Sequence, residues 1–221
     1  MESFERKIDS ALSLEHEYED RAFDFLKGEL RAAAVLVLFG YSEKDTAFEP
    51  YLLLTRRTES VETHKGQIAF PGGVSDPEDF EDQGATTTAL RETEEEVGIP
   101  RSEIRVLGRL PRLPTVTGFD VTPFVGTLKR PVEQVALKPS EGEIAEVFWV
   151  PMSVLMHSDT YRREVLTVGG AGGAEYPIHV YQVKEHRIWG VTAAIIKNLL
   201  DRLGGAAAAP KLIITRPPSH Q

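Results

Sequence analysis

Three glutamates in one short segment are the clearest chemical feature of this 221-residue sequence. Glu92, Glu95 and Glu96 stand at positions i, i+3 and i+4, so a helix would carry their carboxylates on one face. Like charges at that spacing repel each other, which destabilises the helix unless a cation binds there. Carboxylate oxygens are hard ligands that suit Mg²⁺ or Mn²⁺, and these ions engage the phosphates of substrates. The segment therefore predicts a divalent metal site.

An acidic helix face can also be an ordinary solvated surface, and for the carboxylates alone that interpretation is the commoner one. The flanking residues indicate how this segment would be folded. Residues 91–99 read RETEEEVGI, in which Gly98 stands where a helix would end. Residues 70–73 read FPGG, a combination typical of a turn that leads into a loop.

This region resembles the signature of the Nudix hydrolase family, G-x5-E-x7-R-E-U-x-E-E-x-G-U, in which U is an aliphatic or similar residue. Residues 91–99 match its second half at each fixed position, with Thr93 and Ile99 at the two U positions. Gly73 supplies the leading glycine after a predicted strand. The resemblance implies a hydrolase that cuts a diphosphate bond with Mg²⁺ or Mn²⁺ held by the three glutamates.

The first half of the signature is less regular, because four extra residues lie between Gly73 and Arg91. Counting forward from Gly73 puts Asp79 at the first glutamate of the signature, whereas counting back from Arg91 puts Gln83 there. The acidic residues that could take this place are Asp79, Glu81 and Asp82. The insertion leaves the metal-binding half of the signature intact.

A second, narrower resemblance lies upstream of the signature. Residues 53–58, LLTRRT, and residues 64–73, HKGQIAFPGG, are similar to the motif LLTxRSxxLRxHxGQVAFPGG of coenzyme A pyrophosphatases. Among the differences from this motif, Thr58 replaces Ser, Val61 replaces Leu and Glu62 replaces Arg. The last of these differences reverses a charge.

Residues 118–123, GFDVTP, and residues 188–193, IWGVTA, are also similar to that subfamily, so the resemblance covers about residues 30–203. It implies hydrolysis of coenzyme A to 4′-phosphopantetheine and 3′,5′-ADP. The alternatives are a Nudix hydrolase of ADP-ribose, NADH, a dinucleoside polyphosphate or an 8-oxo-nucleotide, a non-catalytic nucleotide-sensing module, and a cation-binding interaction protein. A sensing module would be expected to lose signature glutamates, and this sequence keeps all three.

The family resemblance also implies catalytic roles for individual residues. Arg91 would orient a signature glutamate through a salt bridge, while Glu92, Glu95 and Glu96 hold the metal that activates water. The catalytic base is either Glu143, which stands just before a predicted strand, or Glu92.

The expected substrate-binding residues come from the upstream segment and are Arg57, His64, Lys65, Gln67, Phe70, Gly72 and Gly73. Arg56 and Arg57 alternate along a strand end, so one should face the site and the other should face away. Lys65, Arg57 and Arg112 are candidates to bind the 3′-phosphate of coenzyme A.

Composition and charge narrow the class of partner. A formal net charge of −9 repels phosphate backbones, so we expect a small-molecule substrate and no nucleic acid. The sequence has no apolar run of membrane-spanning length and no signal peptide, so we expect a cytoplasmic protein without a membrane partner. The absence of cysteine excludes disulfides and thiolate metal sites. The Nudix resemblance further implies a homodimer.

The elements that would position these residues follow from hydrophobic periodicity and turn residues. The pattern predicts helices at residues 3–27, 85–97 and 191–203, with a short helix after Pro151. It predicts strands at residues 31–39, 51–55, 67–70, 104–110, 121–128, 144–150 and 176–183, and a loop at residues 74–83.

These elements, with the family resemblance, define the expected fold class as α/β (α+β). The resemblance implies a Nudix-type α/β/α sandwich with a mixed β-sheet and a loop–helix–loop catalytic motif. The expected organisation is an N-terminal helical extension at residues 1–29, a Nudix domain at residues 30–203 and a mobile C-terminal tail at residues 204–221.

Overall fold

The computed structural model describes residues 1–13, 29–60, 65–79, 84–115, 117–168 and 174–204. The helices formed by these residues are α1 (Glu2–Leu12), α2 (Ala85–Val97), α3 (Met152–Met156) and α4 (Gly190–Gly204). The strands are β1 (Arg31–Tyr41), β2 (Pro50–Arg57), β3 (Ile68–Ala69), β4 (Gly72–Val74), β5 (Ile104–Arg109), β6 (Leu113–Pro114), β7 (Phe119–Leu128), β8 (Ile144–Pro151), β9 (Tyr161–Val168), β10 (Ala174–Val183) and β11 (His186–Trp189).

The larger sheet is mixed and has β1 at its centre. Its order is β3-β2-β1-β7-β5, with β8 added to β2, β4 added to β1 and β6 added to β7. The pairing of β1 with β7 is parallel, and the other pairings are antiparallel. The nearly continuous apolar run of β1 accounts for this central place, because a strand covered on both faces needs apolar side chains on both.

The strands β1 and β2 pair only near the turn that joins them, between Phe39 and Leu52 and between Tyr41 and Pro50. Further along they diverge, and the β3–β4 segment fills the gap. In this segment the backbone N–H of Leu36 donates to the carbonyl of Pro71 at 2.8 Å, and β4 pairs with the first half of β1. The divergence therefore brings the Pro-Gly-Gly turn into the middle of the sheet.

Helices cover both faces of the larger sheet. Leu36 and Leu38 pack with Ala89 and Val97 of α2 on one face. The intervening Val37 and Phe39 point to the opposite face, where they pack among residues of α1 and α4. A smaller antiparallel sheet, of order β11-β10-β9, lies beside α4. The expected fold class, an α/β/α sandwich with a mixed sheet, is confirmed.

The N-terminal helix α1 packs against the domain core. Ile8 is fully buried, and Glu5 accepts hydrogen bonds from Thr127 at 2.9 Å and Arg105 at 2.8 Å. The helix ends at Leu12 with Ser13 as its C-cap, earlier than the sequence predicts. The rest of the predicted helix at residues 14–28, and the predicted tail beyond Gly204, lie outside the described residues.

The other predicted helices and strands are present with bounds shifted by a few residues at most. The sequence did not predict β4, β6, β9 and β11. Strand β9 was missed because its sequence, YRREVLTV, carries three charges and lacks clear alternation. The predicted loop at residues 74–83 begins one residue later, after β4 ends at Val74. No helix in the described ranges is long and apolar enough to cross a membrane.

Candidate active site

Helix α2 is held by one apolar face and ended by a glycine. Thr88, Ala89, Thr93 and Val97 are buried, which fixes the rotation of the helix against the sheet. Gly98 follows with a φ of 74°, and its N–H donates to the carbonyl of Glu94. This rotation leaves the acidic positions of the helix at the edge of its contact with the sheet.

Two glycines allow the backbone of β4 to approach these carboxylates closely. Gly72 has a φ of +155°, and a Cβ added there would collide with the carbonyl oxygen of Ala34. A Cβ added at Gly73 would lie 2.5 Å from Cδ of Glu92. A side chain is therefore excluded by the backbone at Gly72, whereas at Gly73 it would displace the carboxylate of Glu92.

Glu96 is deeply buried, with 4% of its surface exposed. Its carboxylate accepts a hydrogen bond from the backbone N–H of Gly72 and another from Nη1 of Arg57, both at 3.2 Å. Burial raises the pKa of Glu96 to about 7, and the charges of Glu92 and Glu143 act in the same direction.

Glu92 and Glu143 add negative charge near Glu96. Glu92 is partly buried, and burial raises its pKa while the neighbouring Arg91 opposes that rise. Glu143 is exposed and precedes β8, and its negative charge also raises the pKa of Glu92. Glu95 differs from them, because its side chain is 58% exposed and accepts a hydrogen bond from Arg91 at 3.0 Å.

Arg91 is held by four carboxylates. It forms salt bridges with Asp76 at 3.2 Å, Asp79 at 3.1 Å, Glu92 at 3.0 Å and Glu95 at 3.0 Å. Asp79 is 4% exposed, and the hydrogen bond from Arg91 holds its pKa down at about 2. The structure thus couples the loop before α2 to the acidic face of the helix through one guanidinium.

The upstream segment forms the opposite wall of the site. Of the two adjacent arginines, Arg57 faces Glu96, whereas Arg56 pairs with Glu146 of β8 at 3.1 Å. A β-bulge in the pairing of β2 with β8 lies between them. The backbone N–H of Arg57 donates to the carbonyl of Gln67 at 3.0 Å, which joins the two parts of the upstream motif.

The remaining predicted substrate-binding residues differ in how far they are exposed. Phe70 is buried in the core with 3% exposure, and Lys65 is exposed. Arg112 is also exposed and pairs with Asp120 at 2.8 Å. His64 lies outside the described residues.

Comparison with known proteins identifies the family. A family model described as the NUDIX domain matches residues 29–166. A protein of Photorhabdus laumondii named "Uncharacterized Nudix hydrolase NudL" is 41% identical over 155 residues, which cover 70% of this chain and 78% of the relative. The chain belongs to the Nudix family. A relative of the same name from Yersinia enterocolitica is 40% identical over 156 residues, covering 70% of this chain and 75% of the relative.

A solved structure of a MutT/nudix family protein from Enterococcus faecalis aligns with 84% of this chain and 66% of its own, at 16% identity and a TM-score of 0.47. A Nudix hydrolase from M. smegmatis, RenU, aligns with 57% of this chain and 73% of its own, at 21% identity and a TM-score of 0.44.

Nudix hydrolases act on small nucleotide derivatives and generally use divalent ions such as Mg²⁺ or Mn²⁺. Helix α2 of this chain fits such an ion in its donor chemistry, since Glu92 and Glu96 present hard oxygens and the negative charge of Glu92 raises the pKa of Glu96. In the described residues no three acidic or histidine side chains form a ready-made metal site. Glu95 and Glu96 are turned toward Arg91 and Arg57 instead.

Sequence reasoning missed three contacts of this Nudix site. Asp76 joins Asp79 on Arg91, and Arg57 pairs with Glu96. Thr192, within the IWGVTA segment, donates to the carbonyl of Ile68 at 3.1 Å. For Asp79, the sequence signal was the signature spacing counted forward from Gly73, which puts Asp79 at the position of the first glutamate. The alternatives for that position at residues 81–83 lie outside the described residues.

Proposed function

We propose that this Nudix hydrolase cleaves the diphosphate of coenzyme A, releasing 4′-phosphopantetheine and 3′,5′-ADP, with Mg²⁺ or Mn²⁺ as its cofactor. The observation that carries the proposal is the direct contact between the coenzyme A pyrophosphatase-like segment and the Nudix glutamates. Gly72 donates to Glu96, Gly73 lies beneath Glu92, and Arg57 pairs with Glu96. The residues that resemble the coenzyme A pyrophosphatase motif therefore lie beside the glutamates that would bind the cation.

The other two segments that resemble the subfamily support the same framework. Thr192 of the IWGVTA segment is hydrogen-bonded to Ile68 in the middle of the upstream motif. Gly118 opens the GFDVTP segment, and its carbonyl accepts a hydrogen bond from the N–H of Arg31 at the start of β1. The two downstream segments are thus hydrogen-bonded to β3 and to β1, which help to form the site.

Each acidic residue has a distinct task in the proposed reaction. Glu92, Glu95 and Glu96 would hold the cation, and Arg91 would orient Glu92 and Glu95 through its salt bridges. The cation, when bound, neutralises the diphosphate and lowers the pKa of the attacking water. Glu143 would take the proton of that water, because its exposed carboxylate is not committed to an ion pair in the described residues, whereas Glu92 is paired with Arg91.

Local positive charge has to offset the acidity of the protein when coenzyme A binds. Arg57 lies at the carboxylates and Lys65 is exposed on the same upstream segment, so they are our first choices for the phosphates. We assign His64, Gln67, Gly72 and Gly73 to the same binding region, and the buried Phe70 would support this region from the core. Arg112 is a weaker choice, since it is paired with Asp120. We further propose a cytoplasmic homodimer with neither a nucleic-acid nor a membrane partner.

Product analysis tests this function directly. The protein is incubated with coenzyme A, ADP-ribose, NADH and a dinucleoside polyphosphate, with Mg²⁺ and with EDTA. Release of 4′-phosphopantetheine that depends on the metal, with the other substrates slower, is the expected result. Preferential turnover of another substrate would retain the chemistry and refute the choice of coenzyme A. Binding of nucleotides without turnover would favour a sensing module.

A matched pair of variants links the activity to the proposed ligands. Glu96→Gln should reduce turnover by at least about a hundredfold, because the buried carboxylate can no longer bind the cation. Glu94→Gln, on the exposed side of the same helix, should retain wild-type turnover. Wild-type activity in Glu96→Gln would refute the metal assignment.

A further inference from the structure

The ion pair between Arg57 and Glu96 joins the end of β2, in the upstream segment, to helix α2 of the Nudix signature. Nη1 of Arg57 lies 3.2 Å from Oε1 of Glu96, and the two side chains are 23% and 5% exposed. Glu96 is also one of the ligands assigned to the cation under the proposed function. The guanidinium of Arg57 and the proposed cation therefore compete for the same carboxylate.

Arg57 is held loosely in comparison with Arg91. Its Nε is buried and has no hydrogen-bond partner in the part of the chain that the structure describes. The only described hydrogen bond from the side chain of Arg57 goes to Glu96, whereas the side chain of Arg91 donates to Asp79, Glu92 and Glu95. A guanidinium has five N–H donors, so most of the donors of Arg57 are not used by protein acceptors in the described residues.

An unpaired buried donor is costly, and a carboxylate buried without a counter-charge is more so. The contact therefore neutralises the charge of Glu96 while the ion is absent, but it leaves most hydrogen-bond donors of Arg57 without a described protein acceptor. A diphosphate offers a guanidinium the planar, bidentate contact that a single glutamate oxygen does not. Both groups gain a better partner if the cation takes Glu96 and the substrate takes Arg57.

We propose that Arg57 is a built-in counter-cation of Glu96, which a divalent ion displaces so that the freed guanidinium binds the diphosphate. This inference rests on the metal role of Glu96 in the proposed function. Arg57 competes with the metal in the empty enzyme and assists it when substrate is present. Metal binding and substrate binding are consequently coupled through one side chain.

Mn²⁺ binding without substrate tests the exchange, because it does not depend on turnover. Free Mn²⁺ is titrated by electron paramagnetic resonance at pH 8 with the wild-type protein, Arg57→Gln, Arg57→Lys and the control Arg56→Gln. Arg57→Gln should bind Mn²⁺ about tenfold more tightly, since the competing ion pair is gone. Arg57→Lys, which keeps the charge, should stay within about threefold of wild type, and Arg56→Gln should match it.

Equal or weaker Mn²⁺ binding by Arg57→Gln would overturn the proposal, as would an equal gain in Arg56→Gln. Glu96→Gln separates this failure from that of the proposed function. If Mn²⁺ binding does not depend on Glu96, the metal assignment itself is wrong. If it depends on Glu96 but not on Arg57, only the exchange is wrong.

Crystal structures of the wild-type protein with and without Mn²⁺ supply a test that needs no variant to fold. The separation of Arg57 Nη1 and Glu96 Oε1 should increase beyond hydrogen-bonding distance when the ion binds. A contact that stays at 3.2 Å with Mn²⁺ on Glu96 would refute the exchange.

Discussion

The guanidinium of Arg91 binds the carboxylate of Asp79 in a bidentate contact, with hydrogen bonds from Nε to Oδ1 at 3.2 Å and from Nη2 to Oδ2 at 3.1 Å. Thr88 donates to the same carboxylate at 2.8 Å. Such a paired contact fixes direction as well as distance. The loop before α2 is thereby fastened to the residue that also contacts Glu92 and Glu95.

Replacing Asp79 with Asn should destabilise the protein in a pH-dependent way. The pKa of Asp79 is lowered to about 2 in the folded state, so its contribution is present above the unfolded pKa near 3.8 and lost as the pH falls toward 2. We expect Asp79→Asn to reduce the free energy of unfolding by roughly 2 kcal/mol at pH 7. Urea denaturation from pH 7 to pH 2.5 should show the difference shrinking below pH 4.

Asp76→Asn is the matched control, because Asp76 also pairs with Arg91 but is 63% exposed. It should change the free energy of unfolding by less than about 1 kcal/mol. Equal losses in the two variants would contradict a special role for the buried pair.

Glu96→Gln should stabilise the metal-free protein at high pH. The pKa of Glu96 is raised to about 7, so the folded state binds more protons than the unfolded state between the ordinary glutamate pKa and pH 7, and stability falls across that window. Removing the charge should raise the free energy of unfolding by on the order of 2–3 kcal/mol at pH 8. Thermal melts in EDTA measure this, and the two proteins should converge below about pH 4.5.

The control for this prediction is Glu94→Gln, at an exposed position of the same helix. Its stability should follow that of wild type at every pH. A loss of stability in Glu96→Gln at pH 8 would mean that the pair with Arg57 outweighs the burial of the charge.

Gly73→Ala should impair activity more than stability. The added methyl group would lie 2.5 Å from Cδ of Glu92, and the flexible end of that side chain can move away while the backbone stays in place. A displaced ligand should lower kcat by about a hundredfold, whereas the melting temperature should change little. Steady-state kinetics and thermal melts test this together.

Gly204→Ala is the glycine control, since a Cβ added at the end of α4 meets nothing within 4 Å. It should leave both kcat and the melting temperature unchanged. Wild-type kcat in Gly73→Ala would show that the position of Glu92 does not limit the reaction.

The catalytic base can be distinguished from a metal ligand by measuring Mn²⁺ affinity beside the rate. Glu143→Gln should lower kcat by roughly 10²–10⁴-fold while Mn²⁺ binding stays normal. Glu92→Gln should weaken Mn²⁺ binding as well. The exposed Glu141→Gln is the control for a change near β8. A normal rate in Glu143→Gln would transfer the role of base to Glu92.

Helix α2 was predictable from the sequence because its signals are local. The apolar spacing, the run of carboxylates and the terminal Gly98 all lie within one stretch, and the helix spans Ala85–Val97 as predicted. The buried strands were predictable for the same reason, since β1 needs apolar side chains on both faces wherever its partners come from. These local patterns, with the signature match, sufficed for the fold class and the family.

The partners of the acidic residues were decided by tertiary structure. The pairing of Arg57 with Glu96 depends on the divergence of β1 from β2 and on the bulge beside Arg56, and neither feature has a local sequence signal. The contact of Asp79 with Arg91 likewise depends on the path of a loop whose length departs from the family signature. The sequence determined which residue types could do the chemistry, whereas the pairing of distant segments decided which of those side chains meet, because such contacts form only when the chain folds.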